Sequence, residues 1–167
     1  SLLTYDFRGP GFRNTIMAAV SVANHFKIKA EKIADAVEKF ENLPMRMERK
    51  KLKSGQLVLL DCYNASPDSM INGLETLKIM ACGKKTMAVL GDMLELGKFS
   101  EELHREVAKH LAKLKIDFVY TFGTESEVIN EYLKTSTTVA SHFTEEKLLQ
   151  AELDKHFNKA EVILFKG

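Results

Sequence analysis

Two carboxylates, each at the end of a short apolar run, are the side chains in this sequence best placed to do chemistry. Asp61 follows the apolar run 57–60, and Asp92 follows the run 87–90, with Glu95 three residues further on. A carboxylate at the end of a buried strand can accept hydrogen bonds from ribose hydroxyls, as acidic residues do in dinucleotide-binding folds. An aspartate can equally cap its own turn. The residues alone leave both interpretations open for Asp61 and Asp92.

Two further side chains, Arg46 and His104, are candidates for a site, each with a simpler alternative. Arg46 could bind a phosphate through its planar guanidinium, or be a solvated charge on an edge strand. His104 is close enough to the 91–97 loop to reach a ligand there, or it could be a capping or solvated residue. Cys62 is most simply a small buried hydrophobe. The string GKKT at 83–86 would follow a helix and precede a strand, the reverse of the order that a phosphate-binding loop requires.

The elements around the two carboxylates predict a β-α-β unit. Apolar runs without alternation, at 57–60 and 87–90, are typical of strands that are covered on both faces, as in parallel sheets. Between them, Ser66 can cap a helix whose next residue is proline, and Gly83 provides a stop. One face of this helix is apolar through Met70, Leu74 and Leu77. The polar turns after the two strands then meet at the carboxyl edge of the sheet, where such folds bind ligands.

The rest of the chain alternates helix and strand, which predicts an α/β fold: a Rossmann-like, mostly parallel sheet with helices on both faces. A short helical segment precedes it, with helices at 14–26 and 30–40 after an irregular start over 1–12. Further strands are predicted at 45–52 (an edge strand), 118–121, 138–140 and 162–165. The other helices are predicted from their apolar positions, which are Leu103, Val107, Leu111 and Leu114 after Ser100, then Val128, Ile129 and Leu133, then Leu149 and Leu153 after Thr144.

Composition excludes several classes of protein. The 24 basic and 23 acidic residues nearly cancel, and there is no basic block, which argues against nucleic acid as the main partner. No apolar stretch approaches the roughly 20 residues that span a bilayer, so membrane insertion is not expected. The first residues lack the form of a signal peptide. Cys62 and Cys82 have no metal-binding spacing, which favours a reduced, cytoplasmic protein without structural zinc.

Two strings at this spacing resemble motifs of the Mur ligases. DCYNASPDSM at 61–70 is similar to the family's DSYNANPxSM, and LGDMLELG at 90–97 is similar to its LGDMxELG. NTIMAA at 14–19 resembles the family's NxxxA helix, and RME at 46–48 resembles the GRME start of its C-terminal domain. VILFKG at 162–167 is similar to its closing VKGS strand. The resemblance covers nearly the whole chain and identifies it with the C-terminal portion of a Mur ligase.

The resemblance implies two domains and a ligase reaction. Residues 1–44 would be the helical end of the ATP-binding central domain, and residues 45–167 the C-terminal domain, truncated before its natural end. The parent protein would add D-alanyl-D-alanine to UDP-N-acetylmuramoyl-tripeptide in peptidoglycan precursor synthesis, through an acyl phosphate. The full-length enzyme is expected to be a cytoplasmic monomer. ATP and Mg²⁺ would be held mainly by the central domain, so this fragment is expected to be inactive alone.

The same resemblance implies roles for individual residues. Four would lie near the nucleotide, namely Asn14 (at the adenine), Arg46, Asp61 (at the ribose) and Asn64. Three would face the incoming dipeptide: Asp92, Glu95 and His104. No catalytic residue and no metal ligand is expected in this part of the chain.

Two alternatives remain. A sister Mur ligase would add a different amino acid, but the DNPR signature of the enzyme that adds the third residue is absent. A non-catalytic α/β ligand-binding module would keep the fold without the reaction. The chain also departs from the family motifs, because Met45, Cys62 and Ser66 replace a glycine, a serine and an asparagine. The family's His-Asn pair before the NxxxA helix is not evident, which bears on the adenine contacts.

Overall fold

The structure is a computed structural model that describes residues 10–40 and 42–167. The helices in these ranges are α1 (Pro10–His25), α2 (Ala30–Glu38), α3 (Pro67–Ala81), α4 (Ser100–Leu114), α5 (Glu127–Leu133) and α6 (Glu146–His156). The strands are β1 (Glu48–Lys51), β2 (Leu57–Asp61), β3 (Thr86–Gly91), β4 (Phe118–Phe122), β5 (Val139–Phe143) and β6 (Val162–Lys166).

The strands form one sheet in the order β1-β2-β6-β3-β4-β5. Strand β1 lies at the edge and is antiparallel to β2, and all other neighbours are parallel. The predicted α/β class and the edge position of the first strand are therefore confirmed. Strand β1 is shorter than predicted because Met45 and Met47 have positive φ angles of 59° and 50°, which extended backbone does not allow. Strand β5 is longer than predicted, because it pairs with β4 along its whole length.

The last strand lies in the middle of the sheet. Strand β6 pairs with β2 on one side and with β3 on the other, so the predicted β-α-β unit joins two strands that are not neighbours. Both pairings are parallel, and the carboxyl ends of all three strands therefore lie at one edge. In this register Lys166 is beside Asp61 on one side and Leu90 on the other.

Helix α3 begins as the sequence predicts. The hydroxyl of Ser66 accepts a hydrogen bond from the Ser69 N–H, and the Ser69 hydroxyl accepts one from the Ser66 N–H, which forms a capping box. The predicted apolar face is fully buried: Met70, Leu74 and Leu77. The helix ends at Ala81 with Cys82 as its cap, in a left-handed conformation with a φ of 47°, and the predicted stop Gly83 follows with a φ of 87°.

Apolar side chains pack on both faces of the sheet. Helices α3, α4 and α5 cover one face in a cluster that includes Leu59, Leu90, Val119 and Leu164. Helix α6 covers the other face in a cluster that includes Val58, Val89, Tyr120 and Ile163. Successive strand residues point to opposite faces, which explains why these runs are apolar without alternation.

Helices α1 and α2 pack against each other, and α1 also contacts α3. Residues 10–12 are helical, so α1 begins before the predicted start at Asn14, while the rest of the expected irregular segment, residues 1–9, lies outside the described residues. An apolar groove of about 290 Å³ lies between α1 and α2. Within the described ranges, no helix is both long and apolar enough to cross a membrane.

The buried Tyr120 side chain makes the stability of the folded protein depend on pH in the alkaline range. Its hydroxyl lies 2.8 Å from Nδ1 of His156, and burial, aided by the charge of Glu152, raises the pKa of Tyr120 to about 12. The folded protein therefore keeps this proton between pH 10 and 12, whereas the unfolded chain releases it near pH 10. Because the folded state binds more protons in that window, its stability falls as the pH rises from 10 to 12.

The free energy of unfolding should therefore fall less with pH in Tyr120→Phe. We expect its decrease between pH 9 and pH 12, measured by denaturant unfolding, to be smaller than in the wild-type chain by roughly 2–3 kcal/mol. Tyr63→Phe, at an exposed tyrosine, is the matched control. An unchanged loss of stability in Tyr120→Phe would contradict the assignment.

Candidate functional site

The two polar turns that follow β2 and β3 lie at the same edge of the sheet, as predicted. Both strands run parallel to β6, so their last residues, Asp61 and Gly91, lie at the same edge of the sheet. The edge is closely packed in its centre, because a Cβ on Gly91 would lie 3.0 Å from the Cα of Gly167. The candidate site therefore consists of the surface on either side of this close approach.

Asp61 binds two distant parts of the fold. Its Oδ1 accepts a hydrogen bond of 3.0 Å from the Met47 N–H, and its Oδ2 forms an ion pair of 2.6 Å with Nζ of Lys166. Lys166 also donates to the carbonyl oxygen of Asn64 at 3.2 Å. Asp61 thus holds the segment before β1 by a contact between distant residues, and this differs from the local turn cap considered from the sequence. About one fifth of its side chain stays exposed.

Arg46 lies in a strained segment before β1. Its guanidinium carbon is 4.0 Å from the centroid of the Tyr63 ring, a cation-π contact. Arg46 is exposed, as the solvated alternative requires, but it does not lie on the edge strand, because β1 begins at Glu48. The positive φ angles on both sides of Arg46 are sustained by two further bonds, from Asn42 Nδ2 to the Met47 carbonyl (2.9 Å) and from the Met45 N–H to the Glu48 carboxylate (3.1 Å).

A cavity of about 370 Å³ joins this segment to α1 and α3. Its lining combines charged, amide, hydroxyl and aromatic groups, and includes Arg46, Asp61, Asn42, Asn72, Thr76, Phe12 and Phe40. The rings of Phe12 and Phe40 are 5.4 Å apart. A mostly apolar cavity with a few convergent polar groups is the usual form of a site for a small ligand.

The two asparagines implied by the resemblance do not line this cavity. Asn14 is exposed on α1, one residue from Thr15, which does line it. Asn64 is exposed in the turn after β2, and its side-chain oxygen accepts a hydrogen bond from the Ala65 N–H. Cys62, between Asp61 and this turn, is half-buried, and burial raises the pKa of its thiol.

Asp92 caps a turn, although not its own. Its two oxygens accept hydrogen bonds of 2.8 Å from the N–H groups of Thr124 and Ser126, in the loop after β4. Burial alone would raise the pKa of Asp92, but the hydrogen bonds from this loop outweigh it and hold the pKa below its usual value. Gly123 has a φ of 124°, and a Cβ there would collide with the Asp92 carboxylate. The carboxylate and the glycine therefore fix the two loops together.

His104 is fully buried, so the solvated role considered from the sequence is wrong. Its Nε2 lies 3.1 Å from the Met93 nitrogen and can only accept that hydrogen bond. We therefore assign the proton to Nδ1, which donates to the Ser100 carbonyl at 2.8 Å. His104 also replaces Leu103 on the buried face of α4, since Leu103 is only partly buried. Through its bond to the Met93 N–H, His104 fixes the backbone of the 91–97 loop from the buried side.

The outer surface of that loop carries different groups. Glu95 is exposed and has a φ of 63°. Leu94 and Phe99 are large apolar side chains that are 70% and 52% exposed. Of the three residues implied to face the dipeptide, only Glu95 therefore presents its side chain mainly to solvent, while Asp92 and His104 bind the backbone of loops.

Sequence reasoning missed Lys166 as a site residue. Its charge ends an otherwise apolar strand, at the position next to Asp61 in the sheet. A lysine directly after the run 162–165 was the available signal, because a charge at the end of a buried strand needs a partner there. No group of three or more His, Cys, Asp or Glu in the described residues is arranged to hold a metal ion.

Comparison with known proteins gives consistent matches. The sequence model of one family, described as Mur ligase, glutamate ligase domain, matches residues 45–167. A UDP-N-acetylmuramoyl-tripeptide–D-alanyl-D-alanine ligase of Bacillus subtilis is 37% identical over 90% of this chain and 34% of its own length. The protein of the same name from Escherichia coli is 31% identical over 95% of this chain and 35% of its own length. The chain thus spans about a third of the length of these relatives.

Solved structures give the same result. MurF from Acinetobacter baumannii superposes with a TM-score of 0.81 at 25% identity, over 95% of this chain and 34% of that one. A MurF ligase from Thermotoga maritima in complex with ADP superposes with a TM-score of 0.74 at 28% identity, over 91% of this chain and 33% of that one. Both similarities extend beyond residues 45–167 into the helix pair, because they cover more than nine tenths of the chain.

The His104 contacts predict the cost of its removal. His104→Ala leaves the buried Met93 N–H without an acceptor and opens a cavity, so we expect a loss of roughly 2–4 kcal/mol in the free energy of unfolding. His104→Gln should lose less than half as much, because its amide oxygen can accept the same bond. Arg105→Ala, at an exposed side chain on the same helix, is the control. Equal losses for alanine and glutamine, measured by denaturant unfolding, would refute the role of the Met93 bond.

Proposed function

The chain belongs to the Mur ligase family, and from this premise we propose that it is the C-terminal portion of an ATP-dependent ligase that adds D-alanyl-D-alanine to UDP-N-acetylmuramoyl-tripeptide. The named relatives support the choice of this reaction within the family, as do the two motifs that flank α3. The alternative of a sister ligase has less support, because the relatives from Bacillus subtilis and Escherichia coli share the D-alanyl-D-alanine name.

The cavity beside Asp61 is the observation that supports a nucleotide-binding role most directly. Asp61 offers carboxylate lone pairs that its two protein contacts leave free, as a ribose hydroxyl requires. Arg46 supplies a positive charge and a planar fork for a phosphate, and the aromatic rings and amides of the lining suit a purine base. In this proposal Asn14 and Asn64 lie at the rim of the nucleotide site.

ATP would supply the phosphoryl group that activates the carboxylate of the tripeptide. The residues of this chain would bind and orient the nucleotide and exclude water from the activated group. Mg²⁺ would be bound outside the described residues, which contain no suitable cluster of ligands.

The 91–97 loop would form the side that meets the incoming dipeptide. Glu95 has an exposed carboxylate that can pair with the ammonium group of D-alanyl-D-alanine, and exposed Leu94 offers an apolar contact for a methyl group. Asp92 and His104 would act indirectly, by fixing the backbone that presents these side chains. Positional precision of this kind contributes much of the rate of a reaction between two bound substrates.

The two proposed domains differ in how completely their surfaces are covered. Residues 45–167 have a core on each face of the sheet. Helices α1 and α2 instead leave an apolar groove between them, and on the proposed division at residue 45 the central domain would cover it. We propose a cytoplasmic, monomeric full-length enzyme, as the resemblance implies.

Calorimetric titration with ADP tests the nucleotide site. We expect weak binding by this chain and a loss of at least about tenfold in Asp61→Asn, since a hydrogen bond to a charged acceptor contributes about 1.5–3 kcal/mol. Asparagine is preferred to alanine because its oxygen can still accept from Met47 or Lys166. Asp68→Asn, at an exposed aspartate of α3, is the control. Equal binding by both variants would exclude Asp61 from the site.

A phosphate-release assay tests whether this part of the enzyme is sufficient for chemistry. We expect the 167-residue chain, with ATP, Mg²⁺ and both proposed substrates, to release no phosphate above a protein-free blank. Activity that is lost in Asp61→Asn but not in Asp68→Asn would show instead that the chain turns over ATP by itself.

A further inference from the structure

Lys166 is an unusual residue in this fold, because a lysine is rarely so completely buried. Only 1% of its side chain is exposed, and its ammonium contacts Asp61 and the Asn64 carbonyl. It cannot reach a ligand at the surface, whereas Asp61 can, since 19% of that side chain is exposed. Any effect of Lys166 on a ligand must therefore act through Asp61 or through the turn after it.

Helix α3 is adapted to the lysine stem. Gly73 lies in the interior of this helix, where glycine is unfavourable relative to alanine. A Cβ at this position would lie 3.1 Å from Cδ of Lys166 and 3.4 Å from Cδ2 of Leu164. The glycine therefore gives the aliphatic part of Lys166 room to pass between helix and sheet.

The contacts of Lys166 have two consequences for Asp61. The carboxylate is fixed at both ends, by Lys166 on Oδ2 and by the Met47 N–H on Oδ1, so its plane cannot rotate freely. Its negative charge is also compensated from behind. This compensation matters for an anionic ligand, because an unpaired carboxylate at the mouth of the site would repel the phosphates of a nucleotide.

We propose that Lys166 is a positioning residue for nucleotide binding, which fixes the Asp61 carboxylate and cancels its charge so that a polyphosphate can approach. The inference rests on the proposed function, since it takes a nucleotide as the ligand of this edge. Lys166 would thus contribute to binding although it touches neither nucleotide nor dipeptide. The interior glycine of α3 would accommodate the stem of this lysine.

The ratio of ADP affinity to adenosine affinity tests the charge effect. The pair carries no net charge in the wild-type chain, one negative charge in Lys166→Met and one positive charge in Asp61→Asn. We expect the ratio to fall about tenfold in Lys166→Met and to rise in Asp61→Asn. The double variant Asp61→Asn/Lys166→Met is neutral again and should return to the wild-type ratio. Lys159→Met, at an exposed lysine beyond the opposite end of β6, is the control.

A purely structural role for Lys166 would lower ADP and adenosine binding equally, so an unchanged ratio in Lys166→Met overturns the charge effect. If Lys166→Met does not fold, the comparison between Asp61→Asn and the double variant decides the same question. Only Asp61→Asn should raise the ratio of ADP affinity to adenosine affinity above the wild-type value. Equal ratios in those two variants overturn the proposal.

Hydrogen exchange at the Met47 amide separates this inference from the proposed function. We expect this amide to exchange about tenfold faster in Lys166→Met than in Lys159→Met, because a mobile Asp61 carboxylate is a poorer acceptor, while the Leu90 amide is unchanged. If the wild-type chain binds neither ligand at millimolar concentration, the weak nucleotide binding expected of this chain is refuted. Unchanged Met47 exchange refutes the positioning role of Lys166, whatever the binding result.

Discussion

The ion pair between Lys166 and Asp61 is the contact on which the arrangement of the carboxyl edge depends. It joins the last strand to the second, and through the Met47 N–H and the Asn64 carbonyl it also holds the segment before β1 and the turn after β2. Loss of the Asp61 charge would leave the buried Lys166 ammonium without compensation, and an uncompensated buried charge costs about 3–5 kcal/mol. The pair therefore couples the geometry of the edge to the stability of the fold.

The other side of the edge is fixed by a related arrangement. Asp92 accepts hydrogen bonds from two backbone N–H groups of the loop after β4, and His104 accepts one from Met93. In each case a side chain satisfies backbone N–H groups of a loop, which is how buried backbone groups away from helices and strands are stabilised. The protein's own side chains thus fix the shapes of the loops of the candidate site.

These contacts change the interpretation of several motif residues. Asp92 and His104 belong to strings that resemble ligase motifs, yet their side chains bind the protein's own backbone. The groups left for ligands are the exposed ones, namely Arg46, Glu95 and the free lone pairs of Asp61. A motif residue can therefore serve the proposed ligation by shaping a surface, and proximity in sequence to a loop does not distinguish that role from direct contact.

The sequence by itself determined the secondary structure and the α/β class, because strand runs and helix faces are local patterns that burial imposes on neighbouring residues. It also placed Asp61 and Asp92 at one edge, since parallel strands share the position of their carboxyl ends. Only the tertiary structure decided that β6 separates β2 from β3, that Lys166 lies beside Asp61, and that Asp92 reaches the loop after β4. These contacts join residues 32 to 105 positions apart, and local periodicity contains no information on which distant strands become neighbours.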